Sequence, residues 1–252
     1  MSPRSGGTGM NRRKVLQTAA ASVAGALVAG AADAETPPKP KKKWGMVIDL
    51  QRCILCRSCT IACKQENKTP PGILYNPVLE VEVGTYPNVG RKWFPRPCQH
   101  CDKPACLPAC PSEAIFKRED GIVYIDPEIC TGERRCIEAC PFGVPVFDEG
   151  ASYHEGKGAW SEIASPELGL MEKSAGRSFA ETARKCTFCM HKQEADGSYA
   201  SLPACALTCM GRAIHFGDLN DPDGELRALL ESREHMRRLE EEGTEPNVYY
   251  LL

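Results

Sequence analysis

Apolar and charged residues alternate through Val78-Leu79-Glu80-Val81-Glu82-Val83, the period-two pattern of a strand in an added sheet. Further on, Ala114-Ile115-Phe116 and Ile122-Val123-Tyr124-Ile125 flank an Asp120-Gly121 step, the sequence form of a tight hairpin. The second run closes on Tyr124-Ile125-Asp126. Val47-Ile48-Asp49 has the same apolar-apolar-acidic ending, so the chain carries an internal repeat. Glu225–Glu242 has the charged composition of a solvated helix or, more sharply, of a helix that docks a partner. Residues 150–183, rich in Gly, Ser, Ala and charge, show no period and predict a long surface loop.

Residues 1–34 differ from the rest. Asn11-Arg12-Arg13-Lys14 leads into an apolar run, Val15–Ala32, in which eight of eighteen residues are alanine and Gln17, Thr18 and Ser22 interrupt. A permanent span needs about 20 strongly apolar residues, so the run reads as an export signal. The paired arginines and the small-x-small end Ala32-Asp33-Ala34 resemble a twin-arginine signal with its cleavage site. Cleavage there removes Arg4, Arg12, Arg13, Lys14 and Asp33, so that 31 basic and 33 acidic residues become 27 and 32. The product is expected to be periplasmic, soluble or peripheral to the membrane.

Composition adds one abnormal number. With 42% hydrophobic and 25% charged residues the 252-residue chain reads as globular, and a net charge of -2 gives no support for nucleic-acid binding. Aromatic residues make up only 7%, but there are 15 cysteines, an odd count that rules out a complete set of internal disulfides. Twin-arginine export carries folded proteins. That route suits a chain whose metal cofactors are inserted before export.

The cysteines fall into four groups. They are Cys53, Cys56, Cys59 and Cys63; Cys98, Cys101, Cys106 and Cys110; Cys130, Cys136 and Cys140; and Cys186, Cys189, Cys205 and Cys209. Every group ends on the same three-residue gap. A Cys-x2-Cys-x2-Cys loop wraps three thiolates around one cubane, and the cysteine after the gap ligates the neighbouring cluster in two-cluster ferredoxins. Structural zinc, which works in pairs of pairs, does not produce that repeat. Cys98–Cys140 with its hairpin reads as a complete bacterial-type ferredoxin, leaving the first and fourth groups to pair around it. The expected fold is therefore α+β, with two nested bacterial-ferredoxin-like modules and inserted strands and loops. The outer module comprises 44–97 with 184–218, and the inner one 98–149. A C-terminal helix and partner-docking tail, 219–252, follow.

Trp44-Gly45-Met46-Val47-Ile48-Asp49, the cysteine groups, Lys185-Cys186-Thr187-Phe188-Cys189, Leu202-Pro203-Ala204-Cys205, Gly217–Pro222 and Pro246–Tyr250 together resemble the iron–sulfur electron-transfer subunit of the dimethyl-sulfoxide-reductase superfamily. The exported members similar to this chain serve tetrathionate, polysulfide or thiosulfate, and arsenate reductases. The resemblance implies a molybdenum or tungsten bis-pterin catalytic subunit as partner, and often a membrane quinol-oxidising subunit. It also implies three four-thiolate sites: Cys53, Cys56, Cys59 and Cys209; Cys63, Cys186, Cys189 and Cys205; and Cys98, Cys101, Cys106 and Cys140. The fourth site has only Cys110, Cys130 and Cys136, because Glu133 stands where the pattern has a cysteine. Three [4Fe–4S] clusters and one [3Fe–4S] cluster are expected. Alternatively Glu133 binds the fourth iron of a fourth cubane, or that site is empty.

His100 and His191 lie inside cysteine groups but are read as packing or hydrogen-bonding residues. Arg134, Arg135, Arg184 and Lys185 place positive charge near clusters, where it favours reduction, or are simply solvated flanks. No nucleophile–base pair is visible, so the chain is expected to carry electrons rather than turn over substrate in anaerobic respiration with a sulfur or arsenic oxyanion. A standalone enzyme with a substrate-binding cluster would need acid/base residues beside the three-cysteine site, and none is apparent. An exported nitrite-reductase or hydrogenase system is the alternative setting for the same electron-transfer role.

Overall fold

The computed structural model describes residues 41–150, 165–167 and 179–252. The expected export signal and most of the expected loop lie outside them. Among the described residues no helix is long and apolar enough to cross a membrane.

The fold is mixed, with short helices and four small sheets. Strand β1 (Trp44–Asp49) runs between β8 (Ile214–Asp218), antiparallel, and β10 (Val248–Leu251), parallel; β9 (His235–Met236) adds to the far edge of β10. A strand with neighbours on both sides and packing on both faces reads as an unbroken apolar run. Met46, Val47 and Ile48 accordingly have no exposed surface. Strands β2 (Val78–Thr85) and β3 (Asn88–Pro95) form a largely exposed hairpin, with the expected alternating stretch in β2. Its base is tied down by Trp93 Nε1, which donates to the Cys53 carbonyl at 2.8 Å.

The Asp-Gly step makes the expected hairpin: β4 (Ile115–Lys117) pairs antiparallel with β5 (Val123–Ile125), and Gly121 takes the left-handed φ of 85° that the turn needs. Strand β6 (Val146–Asp148), after the third cysteine group, pairs with β7 (Thr182–Arg184), before the fourth. The internal repeat is a structural one. Asp49 and Asp126 each accept from the backbone N–H two residues on, Gln51 and Glu128, closing the same turn. Their own N–H groups donate to Ala213 and Ala114. Thus β8 lies against β1 as β4 lies against β5.

Two expectations need correction. The helix expected over Glu225–Glu242 is α4 (Glu225–Ser232) and stops eight residues in. Arg233 leaves the helix with extended backbone, and its guanidinium reaches the buried carboxylate of Asp49. Beyond it the chain enters the central sheet, where Val248 and Leu251 are fully buried. Tertiary pairing overrides helix propensity here. Within the expected surface loop, residues 165–167 are anchored inward. Ser165 Oγ donates to the Asn67 carbonyl, and the buried Glu167 carboxylate accepts from Tyr75 Oη at 2.9 Å and Thr187 Oγ1 at 2.6 Å.

Candidate metal centres

Each cysteine group opens on a loop with the same kink. The residue two after the first cysteine is left-handed in all four: Leu55 (φ 58°), His100 (φ 41°), Gly132 (φ 75°) and Phe188 (φ 56°). A left-handed residue costs an L-amino acid about 1–2 kcal/mol and survives where its surroundings over-determine it. Here it folds the chain back, so that the positions on either side face one point. Helix α1 (Ser58–Glu66) follows the first loop, α2 (Arg135–Glu138) the third, and α3 (Ala204–Leu207) carries Cys205.

Electrostatic coupling shows which sulfurs are neighbours. Burial, then Cys209 and Cys53, pushes the Cys59 thiol up to about 11. Cys63 is driven well above the ordinary thiol range by burial and then by Cys186, Cys205 and Cys189. Cys101 and Cys106 both rise to about 12, chiefly by burial, with Cys98 and Cys140 adding like charge. Cys136 rises to about 11 through burial, Cys130 and Cys110. Cys56 lies beside Cys53. None of the fifteen cysteines forms a disulfide.

The sets are not isolated from one another. Helix α1 sends Cys59 to the first set and Cys63 to the second; Cys205 of the second set also feels Cys59. Cys186 of the second set has Cys98 of the third as its strongest thiol neighbour. Cys106 and Cys110 split between third and fourth, as do Cys140 and Cys136, and Cys106 packs in one apolar cluster with Cys110, Cys130 and Cys136.

Thiols crowded in apolar surroundings resist ionisation unless a cation joins them. Cys98, Cys101, Cys106 and Cys140 line a small cavity with Phe142 and Val144. Yet among the described residues no three His, Cys, Asp or Glu side chains converge tightly enough to hold a single metal ion. Four cysteines lining one cavity suit a cluster, with several irons between the sulfurs. Backbone N–H groups aim at several sulfurs: Ala114 at Cys110 (3.3 Å), Ala213 at Cys209 (3.2 Å), Phe188 at Cys186 (3.4 Å). Such bonds stabilise thiolate charge and raise a cluster's potential. These donors went unread in the sequence, although its signal is there: Cys110 and Cys209 each stand four residues before an alanine.

Glu133 lies on the surface, its Oε1 accepting from Thr131 Oγ1 at 3.2 Å. Gly132 before it cannot carry a side chain, since a Cβ would meet the Glu181 carbonyl oxygen at 2.5 Å. His100 is fully buried and stacks on Phe188, ring centroids 3.8 Å apart, and its Nδ1 accepts from the Val123 N–H at 3.0 Å. Burial holds it neutral, well below the ordinary histidine range. His191 Nε2 meets Glu66 at 2.9 Å. Neither histidine joins a thiol set. Arg184 is buried and neutralised by Asp148 at 2.7 Å, whereas Arg134 and Arg135 are exposed.

Groups of buried and half-buried cysteines on short helices and kinked loops define a ferredoxin-type cluster protein. A family model described as a 4Fe-4S dicluster domain matches residues 89–156. A selenate reductase subunit of Mesobacillus selenatarsenatis is 44% identical over 226 residues, covering 85% of this chain and 73% of that protein. A tetrathionate reductase subunit of Salmonella typhimurium is 36% identical over 259 residues, covering 97% and 90%. The iron–sulfur subunit ArrB of the arsenate respiratory reductase of a Shewanella species is 32% identical over 228 residues, covering 83% and 96%. This chain belongs to the family of iron–sulfur subunits of the dimethyl-sulfoxide-reductase superfamily. It is an electron-transfer component of a reductase complex and is not catalytic alone.

Proposed function

We propose that the chain is a four-site electron wire in an exported oxyanion reductase, built from two ferredoxin-like modules, one nested in the other. The observation that carries this reading is that α1 holds Cys59 of the first set and Cys63 of the second, that Cys186 of the second set has Cys98 of the third as a neighbour, and that the second cysteine group divides between the third and fourth. Iron–sulfur clusters, when bound, supply one-electron redox chemistry. The chain contributes ligands, spacing, burial and hydrogen bonds to sulfur. Its ligands are the fifteen cysteines in the four sets named above. Three sets hold [4Fe–4S] clusters, and the set of Cys110, Cys130 and Cys136 holds [3Fe–4S], with Glu133 over the missing corner.

The two ends of the wire differ. Around the first set four apolar side chains, Ile54, Ile61, Leu207 and Met210, are each more than 60% exposed beside the exposed Cys56, with Arg52, Arg57 and Arg212 exposed among them. Permanent interfaces are apolar, so this end receives the molybdopterin catalytic subunit. Around the fourth set the surface carries Glu133, Arg134, Arg135 and Glu138, all exposed. It faces a membrane quinol-handling subunit or a cytochrome. Residues 1–34 direct the folded chain to the periplasm by the twin-arginine route. The names of the relatives support an oxyanion of sulfur, arsenic or selenium as terminal substrate; selenium widens the expectation from sequence.

Purification of the complex from its native membrane or periplasmic fraction tests the proposal. Expected are about 15 irons per chain, four for each four-thiolate site and three for the fourth, and a co-purifying bis-pterin subunit. A chain holding zinc and no iron overturns the wire. A chain with its iron but a partner that lacks the pterin overturns the assignment to this reductase class.

A further inference from the structure

Lys185 is buried without an ion pair among the described residues; the buried Glu167 lines a pocket with it but bonds Tyr75 and Thr187. The exposure of Lys185 is 2%, and its Nζ donates to two backbone carbonyls, Val123 on β5 and Cys186 of the second set, the latter at 3.1 Å. Among the described residues no carboxylate forms an ion pair with it. The contrast with its neighbours is sharp: Arg184 has Asp148 at 2.7 Å, and Lys192 has Glu66 at 3.3 Å. An ammonium taken out of water without a partner is expensive, so its counter-charge has to come from elsewhere. The side chain also lines the cavity enclosed by Cys98, Cys101, Cys106 and Cys140. It therefore reaches from the backbone of the second set to the wall of the third.

We infer that Lys185 is the shared counter-cation of the second and third cluster sites, a positioning residue that raises both reduction potentials and eases electron passage between them. The inference rests on the cluster reading above. The first and fourth sets have no comparable buried lysine among the described residues.

The test is a potentiometric titration, followed by electron paramagnetic resonance, of the full chain with the subunits it carries. Wild type is compared with Lys185→Gln, Lys185→Met and Lys185→Arg, and iron is counted in each. Lys185→Gln keeps a donor for the carbonyls and removes the charge. Expected in the Gln and Met variants is a fall in two of the four midpoint potentials. The fall is about tenfold in the reduced-to-oxidised ratio at fixed potential, which is about 59 mV for a one-electron couple. The other two potentials stay, and Lys185→Arg keeps all four near wild type. Loss of iron in the Gln and Met variants with full iron in Lys185→Arg also supports the inference, because only charge separates them. Four unchanged potentials in an iron-replete Lys185→Gln chain overturn it, as does loss of iron in all three variants. Wild type without iron overturns it together with the cluster reading.

Discussion

The loops at 53–63 and 130–140 follow the same path and differ at the position that matters chemically. Each comes after a strand and an Asp-capped turn, Asp49 in one and Asp126 in the other. Each has a left-handed residue two after its first cysteine, Leu55 or Gly132, and a second left-handed residue, Arg57 (φ 60°) or Arg134 (φ 62°), that starts the helix. Cys59 and Cys136 follow two residues later, and Cys63 and Cys140 four beyond those. Between the two left-handed residues stands Cys56 in one loop and Glu133 in the other. The replacement therefore changes a side chain without changing the backbone that presents it, and a carboxylate is held where the other loop holds a thiol.

The largest effect should come from exchanging these two residues. Glu133→Cys completes a fourth four-thiolate site, and iron should rise from about 15 to about 16 per chain with loss of the signal of an oxidised [3Fe–4S] cluster. Cys56→Glu should do the reverse at the first site, lowering iron to about 14 and adding a second such signal. An exchange that left iron content unchanged in both directions would show that the two positions are not equivalent.

A smaller effect separates the kinks. Gly132→Ala forces a side chain onto a left-handed residue and against the Glu181 carbonyl oxygen and the Phe147 ring. It should cost about 2–4 kcal/mol in thermal or denaturant unfolding. Leu55→Gly removes strain at the matching position and should change stability by no more than about 1 kcal/mol. Similar losses at both positions would mean that the loops are not built alike.

The smallest difference lies in the two capping aspartates. Burial works to raise the Asp49 carboxyl, but Arg233 and the N–H groups of Gln51 and Arg52 hold it below the ordinary carboxylate range. A folded-state pKa that is depressed contributes stability above the unfolded value near 3.8, and loses it as pH falls through the folded one. Asp49→Asn should therefore cost about 1–3 kcal/mol at pH 7 and much less at pH 3. Asp126→Asn, which disturbs one turn without an arginine partner, should cost about 1 kcal/mol or less. Equal losses at pH 7 would remove the distinction.

Much of this was legible in the chain because cysteine spacing states connectivity directly. The Asp120-Gly121 hairpin appears in the structure as β4 and β5, and the Val47-Ile48-Asp49 repeat as a pair of matching turns. What escaped depended on contacts distant in sequence. The length of α4 is decided by Arg233 reaching Asp49 and by β10 joining β1, neither visible in the composition of Glu225–Glu242. Glu167 looks like one more charge in a polar loop until Tyr75 and Thr187 are found around it. The kinks at Leu55, His100 and Phe188 have no sequence mark; only at Gly132 does the residue type announce the backbone.

The central claim is that the fourth site keeps three thiolates and loses one iron. Spin counting of the electron paramagnetic resonance signal in the air-oxidised wild-type protein tests it most directly. A near-isotropic signal of about one spin per chain is predicted, because a single [3Fe–4S] cluster is paramagnetic when oxidised while the three cubanes are silent. An iron-replete protein with about 16 irons and no signal would contradict the account and make Glu133 the fourth ligand of a fourth cubane.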